Sequence, residues 1–265
     1  MSIAEKLTQI AENERSISNG INTEADLIAE IKSMVDNLPE ATGGGYEEGY
    51  EAGRQAEYDQ FWDAYQKNGA RKHYSNAFDG QGEWTDEIFK PKYDIVLGLG
   101  YTGQNVFAYC EVTNVAESLE KQGVRLDTTL CGCLNSIFQS STTKRVPELN
   151  CTHIMDYQKD LNNAFSNSSV VTIDKLIVPD GMGFTNTFYN STALENITFE
   201  GVISKNISFA QSPKLTNDSV QSIIDHLKDL TGSTAQTLTL HADVGAKLTQ
   251  TQKDAISAKN WNVTY

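Results

Sequence analysis

A phenylalanine followed three residues later by a small or polar residue recurs along the chain at steps of about 21 to 31 residues. After the later members comes an apolar-x-x-apolar-x-apolar run. A period in this range is typical of repeat proteins, in which one unit cannot bury its own apolar face and stability comes from stacked neighbours. The pattern comprises Phe78/Gln81, Phe107/Cys110, Phe138/Ser141, Phe165/Ser168 and Phe188/Ser191, with apolar runs at Val146/Leu149/Cys151, Ile173/Leu176/Val178 and Leu194/Ile197/Phe199.

Each unit is predicted to supply a short strand whose alternate residues fill a shared core, with its phenylalanine stacked on that of the preceding unit. Asn, Ser and Thr crowd the second half of the chain, and their side chains hydrogen-bond the backbone of narrow turns. The predicted fold class is α+β. It has a helical stem, a leucine-rich-repeat-like β-solenoid over residues 69–215, and helix–strand capping units over residues 216–265.

The capping segment predicts two helix–strand units. Thr216 is placed to cap a helix whose apolar positions recur at helical spacing, and a strand at residues 238–240 follows. A second helix opens near Thr249 or Thr251 and leads into a strand that begins at Trp261. This last unit is expected to close the open end of the core.

The pattern F-x-x-S/C-x-x-L-x-x-I-x-L resembles the BspA-like leucine-rich repeat, with Ser in place of the usual Cys in three units. The segment GGGYEEGYEAGRQAEYDQFWDAYQKNG and residues 194–265 are similar to phage and prophage tail-region proteins of Firmicutes. The resemblance covers residues 44–265. It implies a virion protein, although BspA-like repeats also occur in bacterial surface adhesins.

Residues 1–42 carry a heptad pattern, because apolar residues alternate at steps of four and three. This narrow stripe favours self-association over an amphipathic helix packed on its own domain. Ile at most core positions favours three or four strands, and a trimer is expected. Glu14 and Glu24 interrupt the core, and Ser18-Asn19-Gly20 leaves open whether there is one helix or two. The seam consists of Ile3, Leu7, Ile10, Ile17, Ile21, Ile28, Ile31, Val35 and Leu38.

Residues 43–68 join the stem to the body. Gly43-Gly44-Gly45 predicts a flexible joint. The segment from Tyr46 to Lys67 predicts a helix that docks on the body. Its stripe of small residues, which includes Gly49 and Gly53, favours close approach to another helix. A loose acidic linker is the alternative.

Two motifs invite a chemical interpretation. Residues 98–103 match G-x-G-x-x-G, but the aromatic segment after them is not the helix that a dinucleotide site requires, so a turn between units is expected. Cys110, Cys131, Cys133 and Cys151 have no common zinc spacing, and buried thiols are expected with metal binding as the alternative. The chain is predicted not to be an enzyme, with no catalytic residue, cofactor or metal.

The residue in the middle of each apolar-x-apolar strand is predicted to point away from the core. A row of such positions is a candidate receptor face, and a merely solvated sheet is the alternative. The candidate face consists of Arg125, Asn150, Ile177, Thr198, Thr239 and Thr264.

With 21 Lys and Arg against 35 Asp and Glu, the net charge is -14, which disfavours nucleic acid as a partner. No apolar run is long enough to insert in a membrane and no signal peptide is recognisable. We therefore expect a non-enzymatic phage virion protein of the tail, baseplate or fibre, assembled in the host cytoplasm. Its expected partners are itself, other virion proteins and a host-surface glycan or protein, and a bacterial surface adhesin is the alternative.

Overall fold

The computed structural model describes Phe78 and residues 84–87, 89–92, 94–97 and 103–265. These residues form a mixture of helix and strand, which confirms the coarse fold class. The predicted coiled-coil seam in residues 1–42 and the predicted helix in residues 43–68 lie outside the described residues. Elements are numbered below in chain order within the described part.

Short strands form three separate sheets, and every strand pair is parallel. Paired residues are about 23 to 31 positions apart, which matches the period of the sequence pattern. β1 pairs with β2, β5 pairs with β3, β4 and β6, and β8 lies between β7 and β9. The strands are β1 Ile95–Val96, β2 Leu126–Asp127, β3 Arg145–Val146, β4 Leu149–Asn150, β5 Thr172–Val178, β6 Asn196–Gly201, β7 Ile207–Phe209, β8 Gln236–Leu240 and β9 Trp261–Thr264.

A row of stacked phenylalanine rings runs through the core. Neighbouring ring centroids are 4.4 to 6.1 Å apart, and all of these rings are buried. Parallel stacking at such distances stabilises a pair by about 0.5–1.5 kcal/mol beyond the burial of apolar area. The sequence pattern predicted the first five members and missed the sixth. The row is Phe78, Phe107, Phe138, Phe165, Phe188 and Phe209.

The turns that carry these phenylalanines hydrogen-bond to one another. Around Phe138, the N–H groups of Ser136, Phe138 and Ser140 donate to three carbonyl groups of the next turn at 2.8–2.9 Å. Both serines have a φ of 55°, a conformation that Asn tolerates better than most non-glycine residues. We call the turns centred on Phe107, Phe138, Phe165 and Phe188 the turn wall. Asn occupies the equivalent positions of its last two turns, at Asn163, Asn167, Asn186 and Asn190.

In each turn of the turn wall, the N–H of the residue three positions after the phenylalanine closes the turn. At Ser141 and Ser191, the hydroxyl also bonds to the preceding turn. The N–H of Ser191 donates to the carbonyl of Phe188 at 3.2 Å. Its buried hydroxyl donates to the carbonyl of Phe165 at 2.9 Å. The hydroxyl of Ser212 in turn donates to the carbonyl of Ser191 at 3.2 Å. A buried hydroxyl without a hydrogen-bond partner is costly. This position therefore suits serine, whose short side chain fits in the core and places its hydroxyl beside a carbonyl group of the preceding turn.

The helices lie at two places in the described part. The helix α1 was not predicted, and it buries Val115, Ala116 and Leu119 and ends at Gly123, whose φ is 67°. The predicted C-terminal helices are present, capped by the side chains of Thr216 and Thr249. The helices are α1 Val115–Gln122, α2 Asn217–His226, α3 Ala242–Gly245 and α4 Gln250–Ala258, with a 3-10 turn at Asp156–Gln158.

At the C-terminal end, a helix packs against the edge of the second sheet, and the strands of the third sheet follow the turn wall. The hydroxyls of Ser219 and Ser222 on α2 accept the N–H groups of Ile197 and Phe199 on β6, at 3.0 and 2.9 Å. Helix α2 therefore lies where another strand of the second sheet would lie. Phe209 of β7 stacks instead on the turn wall, so the third sheet continues the turn wall and not the second sheet.

Candidate functional site

Asn150, Ile177 and Thr198 of the predicted receptor face lie in the second sheet. Asn150 and Ile177 are register partners. The next residue in that row is Glu200, because the pairing of β5 with β6 shifts register between Ile173 and Leu176. Thr198 is exposed and lies two residues before Glu200 in β6.

Thr239 and Thr264 belong to the third sheet, on the opposite wall. They are register partners, and the hydroxyl of Thr264 donates to that of Thr239 at 3.1 Å. Ser208 of β7 is the register partner of Thr239 on its other side. Arg125 lies just before β2 of the first sheet. The six predicted residues are therefore divided among three sheets and do not form one row.

Ion pairs that the sequence analysis missed cover the first two sheets. Arg125, just before β2, pairs with Asp94 at 3.1 Å. Arg145 holds Asp174 through two hydrogen bonds at 2.8 and 2.9 Å and also pairs with a glutamate of α1. The bonds to Asp174 raise the pKa of Arg145 above its ordinary value.

A second charge cluster follows the same rows. Lys175 lies between Glu148 at 3.3 Å and Glu200 at 3.2 Å. The hydrogen bond with Glu200 is the larger cause of a raised Lys175 pKa. Since these charges are neutralised by their neighbours, this face offers few uncommitted groups to a ligand.

A groove of about 540 Å³ opens at the boundary between the turn wall and the third sheet. It is lined by side chains from four segments, around Lys159, residues 181–185, residues 205–208 and residues 236–239. We call it the seam groove. Its volume falls within the range of small-ligand sites, about 300–1,000 Å³. Of the predicted receptor face, it includes Thr239.

The seam groove exists because two layers do not hydrogen-bond through their backbones. In the earlier turns of the turn wall, the N–H groups of the phenylalanine and of the residues two positions before and after it donate to carbonyl groups of the next turn. Within the described part, the N–H groups of Asn186 and Phe188 donate to no acceptor. Side chains bridge the boundary instead. The N–H of Asn190 donates to Gln211 Oε1 at 2.5 Å, and the hydroxyl of Ser212 donates to the carbonyl of Ser191 at 3.2 Å.

Reciprocal amide bonds shape one side of the seam groove. The N–H of Asn206 donates to Gln236 Oε1 at 3.0 Å. The N–H of Thr237 donates to Asn206 Oδ1 at 2.7 Å. Both side-chain oxygens are thus engaged, and the NH₂ groups of Asn206 and Gln236 remain as donors.

The seam groove also carries two ammonium groups. Lys159 pairs weakly with Asp156, at 3.8 Å. Lys205 is exposed, and no carboxylate of the described residues pairs with it. Asp160, the residue after Lys159, accepts the N–H and the hydroxyl of Thr185 through its two carboxylate oxygens, at 2.9 and 2.5 Å.

The four cysteines and the glycine motif are the two sequence features with a possible chemical role. All four cysteines are buried, and burial raises the pKa of Cys133 and Cys151 above the ordinary value. No group of three or more His, Cys, Asp or Glu side chains could hold a metal ion in the described part. Of the glycine motif only Gly103 is described, and the residues after it form turns and not a helix.

Among the residues that the structure covers, no helix has the length and apolar character to cross a membrane. Comparison of the chain with family models, with curated proteins and with solved structures finds no match.

Proposed function

We propose that this chain is a non-enzymatic structural protein of a phage virion, located in the tail, baseplate or fibre. Its N-terminal helices hold it in an oligomer, with a trimer favoured. Its body is a leucine-rich-repeat-like β-solenoid of the BspA-like type that binds a receptor on the host surface.

The observation that carries the solenoid proposal is the stack of buried phenylalanines opposite parallel strands. Strand pairs join residues about one sequence period apart, and the turns hydrogen-bond in the same direction. Both are expected of a chain that winds repeatedly around one core. The Phe-x-x-Ser turns, whose hydroxyls at Ser141 and Ser191 bond to the preceding turn, support the BspA-like resemblance.

The seam groove supports a binding role for the body. It combines uncommitted amide donors, hydroxyls and an unpaired lysine, which are groups that recognise a polar ligand. The ionic rows on the first two sheets are satisfied within the protein. The receptor is therefore proposed to contact the third sheet, beside Ser208 and Thr239.

Light scattering of the full chain tests the oligomer. Ile28→Asp together with Ile31→Asp places charges in the seam, and the double variant is expected to be a monomer at micromolar concentration. Ser33→Asp, which adds one charge outside the seam, is expected to leave the trimer intact. A wild-type chain that is monomeric at micromolar concentration contradicts the oligomeric stem.

Immunogold labelling of purified particles tests the virion role. Antibodies against the chain are expected to decorate one end of the tail. Labelling of the bacterial cell wall without particle induction would instead support the adhesin, which the same repeat resemblance allows. A melting-temperature increase with NAD or ATP would contradict the non-enzymatic assignment.

A further inference from the structure

We propose that the seam groove binds an acidic saccharide, a sugar chain that carries a carboxylate or phosphate group. The inference rests on the proposed function, in that it gives the receptor a chemical class. Sugar hydroxyls would contact Ser208 and Thr239, and the acidic group would contact the ammonium of Lys205.

The hydroxyl and amide groups of the seam groove suit a sugar. Ser208 and Thr239 are register partners on adjacent strands, so their hydroxyls lie side by side on the outer face. Asn206 and Gln236 also line the groove, and their NH₂ groups have no acceptor among the described residues. A saccharide supplies acceptor and donor oxygens at short intervals, as this arrangement requires.

The charge of the seam groove favours an acidic sugar over a neutral one. Lys205 has no carboxylate partner in the described part, in contrast to Arg145, Lys175 and Lys228, each of which is paired. Asp160 beside the groove is occupied by Thr185. An unpaired ammonium beside free amide donors is a place where an anion gains charge-assisted hydrogen bonds.

The binding surface is already ordered without a ligand. Asn206, Gln236 and Thr237 fix one another through two hydrogen bonds of 3.0 and 2.7 Å. Beneath them, Phe184 and Ile207 are buried in the core. A ligand therefore orders few side chains on binding, which reduces the entropic cost of association.

Calorimetry with the full chain tests the inference. The probes are a galacturonic acid trisaccharide, a glycerol-phosphate oligomer, the neutral galactose trisaccharide and a hexaglutamate peptide. At least one acidic saccharide is expected to bind at least about tenfold more tightly than the neutral one, since one charge-assisted bond of this strength is about a tenfold effect. The two acidic probes distinguish carboxylate from phosphate recognition.

Substitutions locate the site. Lys205→Gln is expected to weaken acidic saccharide binding about tenfold, and Ser208→Trp is expected to abolish it by filling the groove. Lys214→Gln is the matched control, because Lys214 is an exposed lysine outside the groove that pairs only at 3.9 Å. Unchanged melting temperatures show that each variant is folded.

The outcomes separate this inference from the proposed function. No binding of either acidic saccharide, equal binding of the neutral one, or equal losses in Lys205→Gln and Lys214→Gln would overturn the inference. Binding of hexaglutamate in place of the saccharides would overturn it too, in favour of an acidic protein partner. In these cases a trimer that labels the particle tail still supports the virion role. Saccharide binding by a chain absent from particles would keep the groove as a site and reject the virion role.

Discussion

Phe188 and Phe209 stack with their ring centroids 4.4 Å apart, directly beneath the boundary where the turn wall gives way to a sheet. Both rings are buried. Backbone hydrogen bonds are missing at this boundary in the described part. The ring contact therefore links the last turn of the turn wall to the third sheet.

Phe188→Ala is expected to destabilise the body by about 3–5 kcal/mol, the usual cost of removing a buried ring. Urea unfolding, followed by circular dichroism, measures the change as a lower midpoint. Tyr189→Ala is the control, because its neighbouring ring is 53% exposed and its loss is expected to cost little. Similar midpoints for the two variants would contradict the role of the stack.

Ser191→Ala is expected to cost about 1 kcal/mol, because it removes one buried hydrogen bond to the carbonyl of Phe165. That carbonyl keeps the hydroxyl and the N–H of Ser168 as donors. Ser191→Cys keeps a small side chain with a weak donor and is expected to be intermediate. Thermal unfolding ranks these variants against Thr192→Ala, an exposed neighbour. If Ser191→Ala and Thr192→Ala melted together, the bond between layers would have no energetic weight.

Thr249→Ala is expected to destabilise the last helix–strand unit by about 1 kcal/mol. Its side chain accepts the N–H of Gln252, whose own side chain accepts the N–H of Thr249. The substitution removes the first of these bonds and keeps the backbone donor of the second. Thr251→Ala, in the first turn of the same helix, is the control. Hydrogen exchange of the α4 amides measures the difference, and equal protection in both variants would argue against the cap.

Asp127 gives the body a pH-dependent contribution to stability. The hydroxyl of Thr129 donates to its carboxylate at 2.6 Å and, with Arg125 adding to the effect, holds the pKa of Asp127 below its ordinary value. A lowered folded-state pKa stabilises the protein above about pH 4 and ceases to do so as the pH falls through the folded-state value.

Asp127→Asn is therefore expected to be less stable than wild type at pH 6, and the difference should shrink between about pH 5 and pH 3. Urea titrations at several pH values measure it. Glu111→Gln, which replaces an exposed carboxylate, is the control and is expected to change stability little at pH 6. A gap for Asp127→Asn that is constant from pH 6 to pH 3 would contradict the assignment.

Periodic local signals made the phenylalanine row and the capped helices predictable. The spacing of Phe138 and Ser141 predicts a turn from only four residues. Thr216, as a capping residue before an apolar pattern of helical period, likewise predicts the start of a helix. Which sheet a strand joins cannot be predicted from its own residues. Nothing in residues 236–240 shows that β8 pairs with β7 on the turn wall, because that depends on α2 already covering β6.

The candidate site was predictable only at Thr239. The ion pairs join residues in different units, although aligning the units would have found one of them, since Glu148 and Lys175 each lie ten residues after their phenylalanine. The seam groove carries no periodic signal. The groove arises where the turn centred on Phe188 makes no backbone hydrogen bonds to the third sheet in the described part. Lys205 could not be singled out either, because nothing in the sequence distinguishes it from other surface lysines.

Ring contact, and not the length of chain between rings, sets the rise from one layer to the next. Phe107 and Phe138 are about 31 residues apart and Phe165 and Phe188 about 23, yet their centroids are separated by 5.0 and 5.6 Å. The longer connection accommodates the whole of α1. Related chains can therefore gain or lose entire surface elements between layers while the spacing of the interior is preserved.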